Sequence, residues 1–331
     1  MNDDLFRYIK KTKIIVYSNL LFIKKRSFKF IIILLIVQVM THSFSEKDIE
    51  TNSHNIFTFW EPSNSLPGYI NLCFKTWKKY LPDDYKVIIL DFHNLGDYLN
   101  HKIINKILCK DLTLQVQSDA IRVAILQKYG GIWMDSDTII TSSNCMNMLY
   151  GSDLIMFGHS EKKIVHIGFI YALNNSTILK VWLKNIIKRI RIFKKKLFLK
   201  RIFPIQRFKQ SFEEILSWNY LGNSILNKIV ENAPQKSFKI LERDEAYVLP
   251  ELNFYKDPLI CYRDLYFTPG DPEILLKKNK GVLMLHNSYT EEKYKKMPEK
   301  EILHQDIMLA HLLLRLLKND SKIVDTKKKI L

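Results

Sequence analysis

The chain has 331 residues, of which 47% are hydrophobic, so it can bury a full core, and an intrinsically disordered protein is excluded. Its four cysteines are too widely separated for a disulfide framework or a zinc ribbon, and they indicate reduced thiols in a cytosolic protein. The formal net charge of +17 predicts an anionic partner, which could be a nucleic acid, a membrane surface or a phosphorylated substrate.

The N-terminal part of the chain combines basic residues with the apolar run Phe30–Val39. This run is shorter than the roughly 20 apolar residues that span a bilayer, and no small-residue cleavage site of a signal peptide follows it. Three interpretations stay open: a helix on the membrane surface, a signal anchor, and a helix packed on the core. We expect residues 1–50 to extend a domain of residues 51–320, which a basic tail at residues 321–331 follows.

Beyond this extension, short apolar runs typical of buried strands alternate with longer runs of helical spacing. The predicted strands are Ile56–Trp60, Lys86–Asp91, Gly131–Met134, Thr138–Thr141, Asp153–Phe157, His166–Leu173 and Gly281–Leu285. The predicted helices are Pro67–Tyr80, a helix capped by Ser118 and ended by Gly130, Ser176–Leu199, Ser211–Val230 and Glu301–Leu317. This alternation predicts one α/β domain with a mixed, mostly parallel sheet whose ligands gather at the carboxyl ends of strands.

The segment Lys184–Phe203 interleaves basic and apolar residues. As a helix it would carry an apolar stripe that includes Ile186, Ile190 and Phe193 on one side and cations on the other. Such a helix could lie on an anionic membrane surface, or its apolar stripe could pack on the domain. No nucleic-acid-binding motif accompanies the charge, so a nucleic acid is not an expected partner.

The strongest candidate for chemistry is the triplet Asp135-Ser136-Asp137, which directly follows a predicted buried strand. Two carboxylates at this spacing offer oxygen ligands to a hard divalent cation, Mn²⁺ or Mg²⁺. The ion would offset the charge that develops on a leaving nucleotide diphosphate. By itself the triplet is a weak signal, because aspartate is common in turns, so the residues around it decide the interpretation.

The residues before the triplet supply further polar groups and a tight turn. Asp119 and Arg122 lie one turn apart on the same face of the preceding predicted helix. Tyr129, Gly130 and Gly131 then lead directly into the strand. We interpret the acid, the base, the glycine pair and the strand end as one compact nucleotide-sugar site.

These residues carry a resemblance to a known family. Residues 118–140, with the sequence SDAIRVAILQKYGGIWMDSDTII, resemble the signature of the DXD-containing sugar transferases of glycosyltransferase family 32. The resemblance is strongest to the capsular-polysaccharide-synthesis branch of that family. Residues 57–91 resemble the opening of that branch, with the sequence FTFWEPSNSLPGYINLCFKTWKKYLPDDYKVIILD. Residues 285–290, LHNSYT, resemble the family more weakly. The resemblance implies a GT-A fold, a nucleotide-sugar donor, a divalent metal and transfer with retention at the anomeric carbon.

The resemblance also implies roles for the four charged residues. Asp119 and Arg122 match the family's donor-binding acid and base, which hold the ribose or sugar hydroxyls and the diphosphate. Asp135 and Asp137 match the DXD acids, and Asp137 is the expected direct metal ligand. The three aspartates are therefore the expected catalytic residues.

Residues outside the signature complete the expected site. Trp60 matches a position near the nucleotide base, although an aromatic residue at a strand end also packs in cores. His286 matches a late position that reaches the metal or the diphosphate, and Asn287 and Ser288 assist it. Tyr289 stands where the family often has tryptophan. No nucleophile is identified, because in a front-face mechanism the leaving phosphate itself helps to deprotonate the acceptor.

The predicted function is metal-dependent transfer of a sugar to a saccharide or lipid-linked acceptor, in surface polysaccharide synthesis at the inner face of the cell membrane. One alternative is a catalytically inactive, membrane-associated accessory protein with a transferase-like domain. The presence of all four charged residues, Asp119, Arg122, Asp135 and Asp137, argues against this alternative. Another is a haloacid-dehalogenase-type phosphatase, which would use Asp135 as a nucleophile. Ile139 departs from that motif, and more than a hundred residues precede a triplet that usually lies near the start of such domains.

Overall fold

The computed structural model describes residues 54–149, 151–174, 176–202, 220–246, 257–277 and 279–318. The apolar run Phe30–Val39, the basic tail and the first part of the predicted helix Ser211–Val230 lie outside these residues. Within the described ranges, no helix has both the length and the apolar character needed to cross a membrane.

A six-stranded sheet forms the centre of the fold, with strand order β2-β1-β3-β6-β5-β7. The strands are β1 (Asn55–Phe59), β2 (Lys86–Leu90), β3 (Gly131–Met134), β4 (Thr138–Ile140), β5 (Leu154–His159), β6 (Ile164–Ala172), β7 (Lys239–Glu242) and β8 (Val282–Met284). The pairs β1–β2, β1–β3 and β5–β7 are parallel, whereas β3–β6 and β5–β6 are antiparallel. The prediction of a mixed, mostly parallel sheet is therefore confirmed. Strands β4 and β8 form a separate antiparallel pair.

Helices of varied length surround the sheets. In chain order they are α1 (Gly68–Tyr80), α2 (Leu95–Tyr98), α3 (His101–Ile107), α4 (Leu114–Tyr129), α5 (Thr177–Ile202), α6 (Asn223–Asn232), α7 (Pro258–Tyr266), α8 (Glu273–Leu276), α9 (Glu292–Lys295), α10 (Glu299–Leu303) and α11 (Met308–Leu317). The predicted helix Glu301–Leu317 is interrupted between α10 and α11. Ile307 is buried there in an extended backbone conformation that a continuous helix cannot contain.

Both faces of the central sheet are covered. Along β1, Ile56 and Phe57 belong to different core clusters, and the same holds for Ile132 and Trp133 on β3. Successive strand residues face opposite sides of a sheet, so one cluster lies on each side. Strands buried on both faces read as continuous apolar runs, which is why their positions could be predicted from the sequence.

Helix α4 begins earlier than the sequence suggested. Its N-cap is Thr113, whose hydroxyl accepts a hydrogen bond from a backbone N–H of the first turn at 3.5 Å. Ser118 and Asp119 therefore lie inside the helix. The expectation that Ser118 caps the helix is wrong, because the helix already begins after Thr113, whose side chain serves as the cap.

The glycine pair between α4 and β3 has the predicted role in the chain path. Gly130 ends α4 with a φ of 69°, and Gly131 begins β3 with a φ of 89°. A Cβ on Gly130 would lie 2.7 Å from the backbone nitrogen of Asn174. This turn therefore requires glycine for its backbone conformation and for space.

Helix α5 packs its apolar stripe on the domain. Ile186, Ile190 and Phe193 are almost completely buried in the core cluster that also contains much of α4. Ile187 and Leu197 pack against the same cluster. Of the two interpretations of the basic segment, packing of the apolar stripe on the domain is the one observed, so this stripe cannot enter a membrane.

Candidate functional site

A cavity of about 630 Å³ opens where β1 and β3 end. Eight of the residues predicted for the site line it: Trp60, Asp119, Arg122, Asp135, Asp137, His286, Asn287 and Ser288. They come from the end of β1, from α4, from the end of β3 and from the segment after β8. The structure therefore brings together residues that are more than two hundred positions apart in the sequence.

Three residues predicted to bind the donor do not line this cavity. Tyr129 is buried, its hydroxyl donates to the carbonyl of Tyr98 at 2.7 Å, and its ring stacks with Phe57. Gly130 and Gly131 form the turn described above. These three residues support the site from the core, because they fix where β3 starts and hence where the acidic triplet falls.

Asp135 is held by two hydrogen bonds to one carboxylate oxygen. Its Oδ1 accepts from Arg122 Nη2 at 2.8 Å and from Trp133 Nε1 at 2.9 Å. The guanidinium of Arg122 also lies over the Trp133 ring, 5.0 Å from the ring centroid. Sequence reasoning missed Trp133, although residues two apart on a strand share a face and the indole stands two positions before the acid.

Arg122 bridges two carboxylates. Its Nη2 atom lies 3.7 Å from Asp119 Oδ1 in addition to its bond to Asp135. Its Nη1 atom donates to the carbonyl of Ile167. Asp119 is 5% exposed and Arg122 4%, so the two side chains form a buried pair.

The Asp119 carboxylate abuts the start of α6. A Cβ built on Gly222, the N-cap of α6, would lie 2.6 Å from Asp119 Oδ2. A helix N-terminus favours negative charge nearby, so this position suits a carboxylate. The absence of a side chain on Gly222 gives Asp119 its space.

Asp137 joins the triplet to the segment after β8. Its Oδ2 accepts a hydrogen bond from the backbone N–H of Asn287 at 2.7 Å, and its carbonyl accepts from Leu285 N–H at 3.1 Å. The Asn287 side chain in turn accepts from the hydroxyl of Tyr69. The C-terminal third of the chain thus fixes the orientation of the second acid.

His286 lies among aromatic side chains. Its ring centroid is 5.5 Å from that of Tyr262 and 5.1 Å from that of Tyr289. Burial, with a smaller effect of the nearby Arg243 charge, lowers the pKa of His286 to about 4. The imidazole is therefore neutral at neutral pH. Tyr289 places an aromatic ring beside this histidine.

Burial also changes the acidity of the three aspartates. It raises the pKa of Asp119 and of Asp137 to about 7, and it raises the pKa of Asp135. Arg122 opposes the rise at all three, whereas the Asp135 charge adds to it at Asp119 and Asp137. Three crowded carboxylates, of which Asp119 is buried and Asp135 and Asp137 are partly buried, share one compensating guanidinium, so a bound cation would balance the charge of the site.

The described part of the chain contains no group of three or more His, Cys, Asp or Glu side chains placed to hold a metal ion. Asp135, Asp137 and His286 all line the cavity, and the imidazole also packs beside Tyr262 and Tyr289. The role of these three residues as metal ligands stays a prediction. Two carboxylates suit Mg²⁺ or Mn²⁺, whose other positions are commonly filled by phosphate oxygens and water.

Trp60 combines the two roles considered for it. The ring lines the cavity and also packs, partly buried, against the core cluster that contains α1 and α11. Its Nε1 donates to the carbonyl of Ser65 at 3.2 Å, which holds the indole in place. A flat aromatic surface at this place suits a nucleotide base.

Other residues in the cavity were not found from the sequence. Among them are Arg243 and Lys295, which add cations to the wall, and His166, whose pKa burial lowers to about 4. Asn223 also lines the cavity, and its buried Oδ1 has no hydrogen-bond partner among the described residues. A buried acceptor in this state suits the hydroxyl of a ligand. No sequence pattern marks these residues, since tertiary packing alone brings them to the cavity.

Residues 23–200, more than half of the chain, match the family model described as capsular polysaccharide synthesis protein. The chain belongs to this family. No curated protein matches it in sequence.

Solved structures of glycosyltransferases show a distant similarity. The PaToxG glycosyltransferase is 15% identical with a TM-score of 0.33, over 60% of this chain and 75% of that one. The apo form of the glycosyltransferase GlyE from Streptococcus pneumoniae TIGR4 is 10% identical with a TM-score of 0.40. A second GlyE structure is 12% identical with a TM-score of 0.41. Each GlyE match covers 83% of this chain and 63% of GlyE, so the chain spans less than two thirds of that protein.

Proposed function

We propose that this protein is a glycosyltransferase that moves a sugar from a nucleotide-diphosphate sugar to a saccharide or lipid-linked acceptor. The product would belong to capsular or other surface polysaccharide, and a lipid-linked acceptor would place the reaction at the inner face of the cell membrane. One observation carries the proposal: Arg122 bridges Asp119 and Asp135 in a cavity at the ends of β1 and β3. Membership of the capsular polysaccharide synthesis family supports the biological role.

Asp135 and Asp137 are the residues that would hold a divalent metal, Mn²⁺ or Mg²⁺. The hydrogen bonds described for the Asp135 side chain are accepted by Oδ1, and the one described for the Asp137 side chain is accepted by Oδ2. The other oxygen of each carboxylate would bind the metal. When bound, the ion supplies positive charge where the leaving diphosphate becomes negative. Donor oxygens and water would complete its coordination.

The other cavity residues would bind and orient the donor. Arg122 keeps Asp135 in place and brings positive charge to the diphosphate. Asp119 and the Asn223 amide oxygen offer buried acceptors to hydroxyls of the ribose or the sugar. Trp60 offers its ring to the base, and Lys295 contributes a further cation to the lining of the cavity.

Transfer with retention would proceed on one face of the sugar. The acceptor oxygen forms its bond to the anomeric carbon as the bond from that carbon to the diphosphate oxygen breaks. The acceptor proton passes to the departing diphosphate, so the atoms balance without a nucleophile from the protein. Asp135 and Asp137 suit this route, since contacts with Arg122 and Asn287 hold both carboxylates in fixed positions.

Release of free nucleotide from a panel of UDP- and GDP-sugars in the presence of Mn²⁺ tests the proposal. Slow hydrolysis of one donor, lost in Asp137→Asn and retained in the exposed control Asp83→Asn, is the expected result. Equal activity of the two variants would refute the assignment of the site. Donor binding without turnover against any acceptor would favour the accessory-protein alternative, and hydrolysis of a generic aryl phosphate would favour the phosphatase.

A further inference from the structure

The outward side of α5 has an unusual composition. The exposed residues from position 180 to position 199 are Lys180, Val181, Lys184, Lys188, Arg191, Ile192, Lys195 and Phe198, which we call the α5 outer stripe. Their spacing of three or four residues places them on one side of the helix. This side consists entirely of cations and apolar side chains.

The opposite side of α5 fixes the helix in place. Ile186, Ile190 and Phe193 are buried in the core, as described above. Two cations outside the stripe also attach the helix to neighbouring elements by hydrogen bonds. Arg189 donates to Ser224 Oγ at 2.7 Å, and Lys194 donates to the carbonyl of Asn105 at 2.7 Å. The cations of the stripe are therefore distinct from those that attach the helix, and they are held facing outward.

The charge of the stripe is not balanced along its own helix. α5 contains ten lysine and arginine residues and no acidic residue. Four stripe residues, Lys180, Lys184, Lys188 and Arg191, line a shallow cavity of about 400 Å³ with Gln127 and apolar side chains. Four cations around one shallow depression give it a positive lining that attracts anions.

We propose that the α5 outer stripe docks the protein on an anionic lipid surface. The cations contact headgroups, and the apolar members reach the boundary with the acyl chains. Val181, Ile192 and Phe198 are 46%, 42% and 62% exposed, and a purely polar polyanion such as a nucleic acid gives Val181 and Ile192 no apolar partner. A lipid surface satisfies both kinds of side chain.

This docking differs from the one considered from the sequence, in which the apolar stripe of the same helix would meet the membrane. That stripe is in the core, so the contact uses the opposite side, with cations as its main element. The inference does not rest on the proposed transfer reaction, because binding to vesicles requires no donor and no turnover.

Sedimentation of the full-length protein with vesicles tests the charge of the stripe. The vesicles contain phosphatidylcholine alone or phosphatidylcholine with phosphatidylglycerol. The variant carries Lys184→Glu, Lys188→Glu and Arg191→Glu, and its control carries the same change of charge at the exposed residues Lys236, Lys277 and Lys300. We expect the lipid concentration for half-maximal binding to rise about tenfold or more in the stripe variant, and clearly less in the control. Equal weakening in both would show that only net charge matters and would overturn the proposal.

A second variant tests the apolar contribution without changing charge. Phe198→Ser should lower the fraction of protein that stays on anionic vesicles as salt is raised, because salt screens the cations but not the apolar contact. Ile274→Ser, at a similarly exposed position on α8, is the control and should leave that fraction unchanged. Stripe-dependent binding to a short DNA duplex with no binding to anionic vesicles would overturn the assignment to lipid.

Discussion

Arg122 Nη2 and Asp135 Oδ1 lie 2.8 Å apart, and this bond joins helix α4 to the end of strand β3 inside the cavity. Arg122 is nearly inaccessible to solvent, whereas the side chain of Asp135 is 38% exposed. The arginine thus holds the aspartate in place, and the aspartate is the more accessible member of the pair in the cavity. Removing either should affect stability and activity to different extents.

Arg122→Ala should lower the free energy of unfolding by about 3 kcal/mol or more, because Asp119 loses its compensating charge inside the protein. Arg122→Lys keeps the charge but loses the planar fork that reaches two carboxylates. We expect it to recover much of the stability while donor turnover stays at least about tenfold below wild type. Urea unfolding and nucleotide release measure the two quantities, and full activity of Arg122→Lys would contradict the bridging role.

Trp133→Phe removes the indole N–H that Asp135 accepts and keeps most of the apolar volume. We expect a loss of stability of about 1–2 kcal/mol and a weaker apparent affinity for Mn²⁺ in the donor assay. Trp182→Phe is the matched control, since Trp182 is also buried and donates to the carbonyl of Leu221 at 2.8 Å, away from the cavity. A similar change of Mn²⁺ affinity in both variants would show that the effect is a general loss of packing.

The stability of the metal-free protein should depend on the protonation of Asp119. Its folded pKa of about 7 exceeds the ordinary value of 3.8, so between these pH values the folded state holds a proton that the unfolded state has released. This contribution is favourable at low pH and is lost as pH rises from about 4 to about 7. Relative to Asp119→Asn, the wild type should therefore gain stability as pH is lowered from 7 to 4.

His286 should show the opposite dependence. Its folded pKa of about 4 lies below the ordinary 6.5, so stability is present above pH 6.5 and is lost as pH falls toward 4. The wild type should lose stability relative to His286→Gln over this range. Urea unfolding at a series of pH values measures both differences, and parallel curves for wild type and either variant would refute that assignment.

Gly222→Ala should disturb the site through Asp119. The added Cβ would lie 2.6 Å from Asp119 Oδ2 and 2.6 Å from Ile167 Cδ1. We expect stability to fall by about 1–3 kcal/mol and the KM for the donor to rise. Gly96→Ala is the control, because its Cβ would have nothing within 4 Å, and it should change neither quantity adversely.

Chelation of divalent metal should abolish nucleotide release and leave the fold intact. Mn²⁺ or Mg²⁺ should restore activity better than Ca²⁺, because a site with two carboxylates and donor phosphates suits a small, hard ion. The assay is nucleotide release after EDTA treatment and re-addition of each metal, with circular dichroism as the control for folding. Undiminished activity in EDTA would refute the metal assignment.

The sequence predicted the parts of the site that depend on local pattern. GIWM could be identified as a strand with correct bounds because it is buried on both faces, and Gly130 could be identified as the end of α4 because the chain turns there. These two features place Asp135 and Asp137 at a strand end. The choice between Thr113 and Ser118 as N-cap could not be made in this way, since both are good capping residues.

Other parts of the site depend on contacts that no local pattern contains. Asn223, Arg243 and Lys295 reach the cavity from separate elements, and only tertiary packing brings them there. The amphipathic pattern of α5 showed that one side would be covered but not by what. A core and a membrane both cover an apolar stripe, and the sequence pattern is the same for either.

The pairing of β4 with β8 has a consequence for the order in which the protein is made. Strand β4, directly after the acidic triplet, finds its partner only at Val282–Met284, and Asp137 finds its backbone donor at Asn287. A ribosome has synthesised most of the chain before these groups can meet. An incomplete chain therefore lacks both the partner strand of β4 and the backbone N–H that holds the Asp137 carboxylate, so its cavity is not fully assembled.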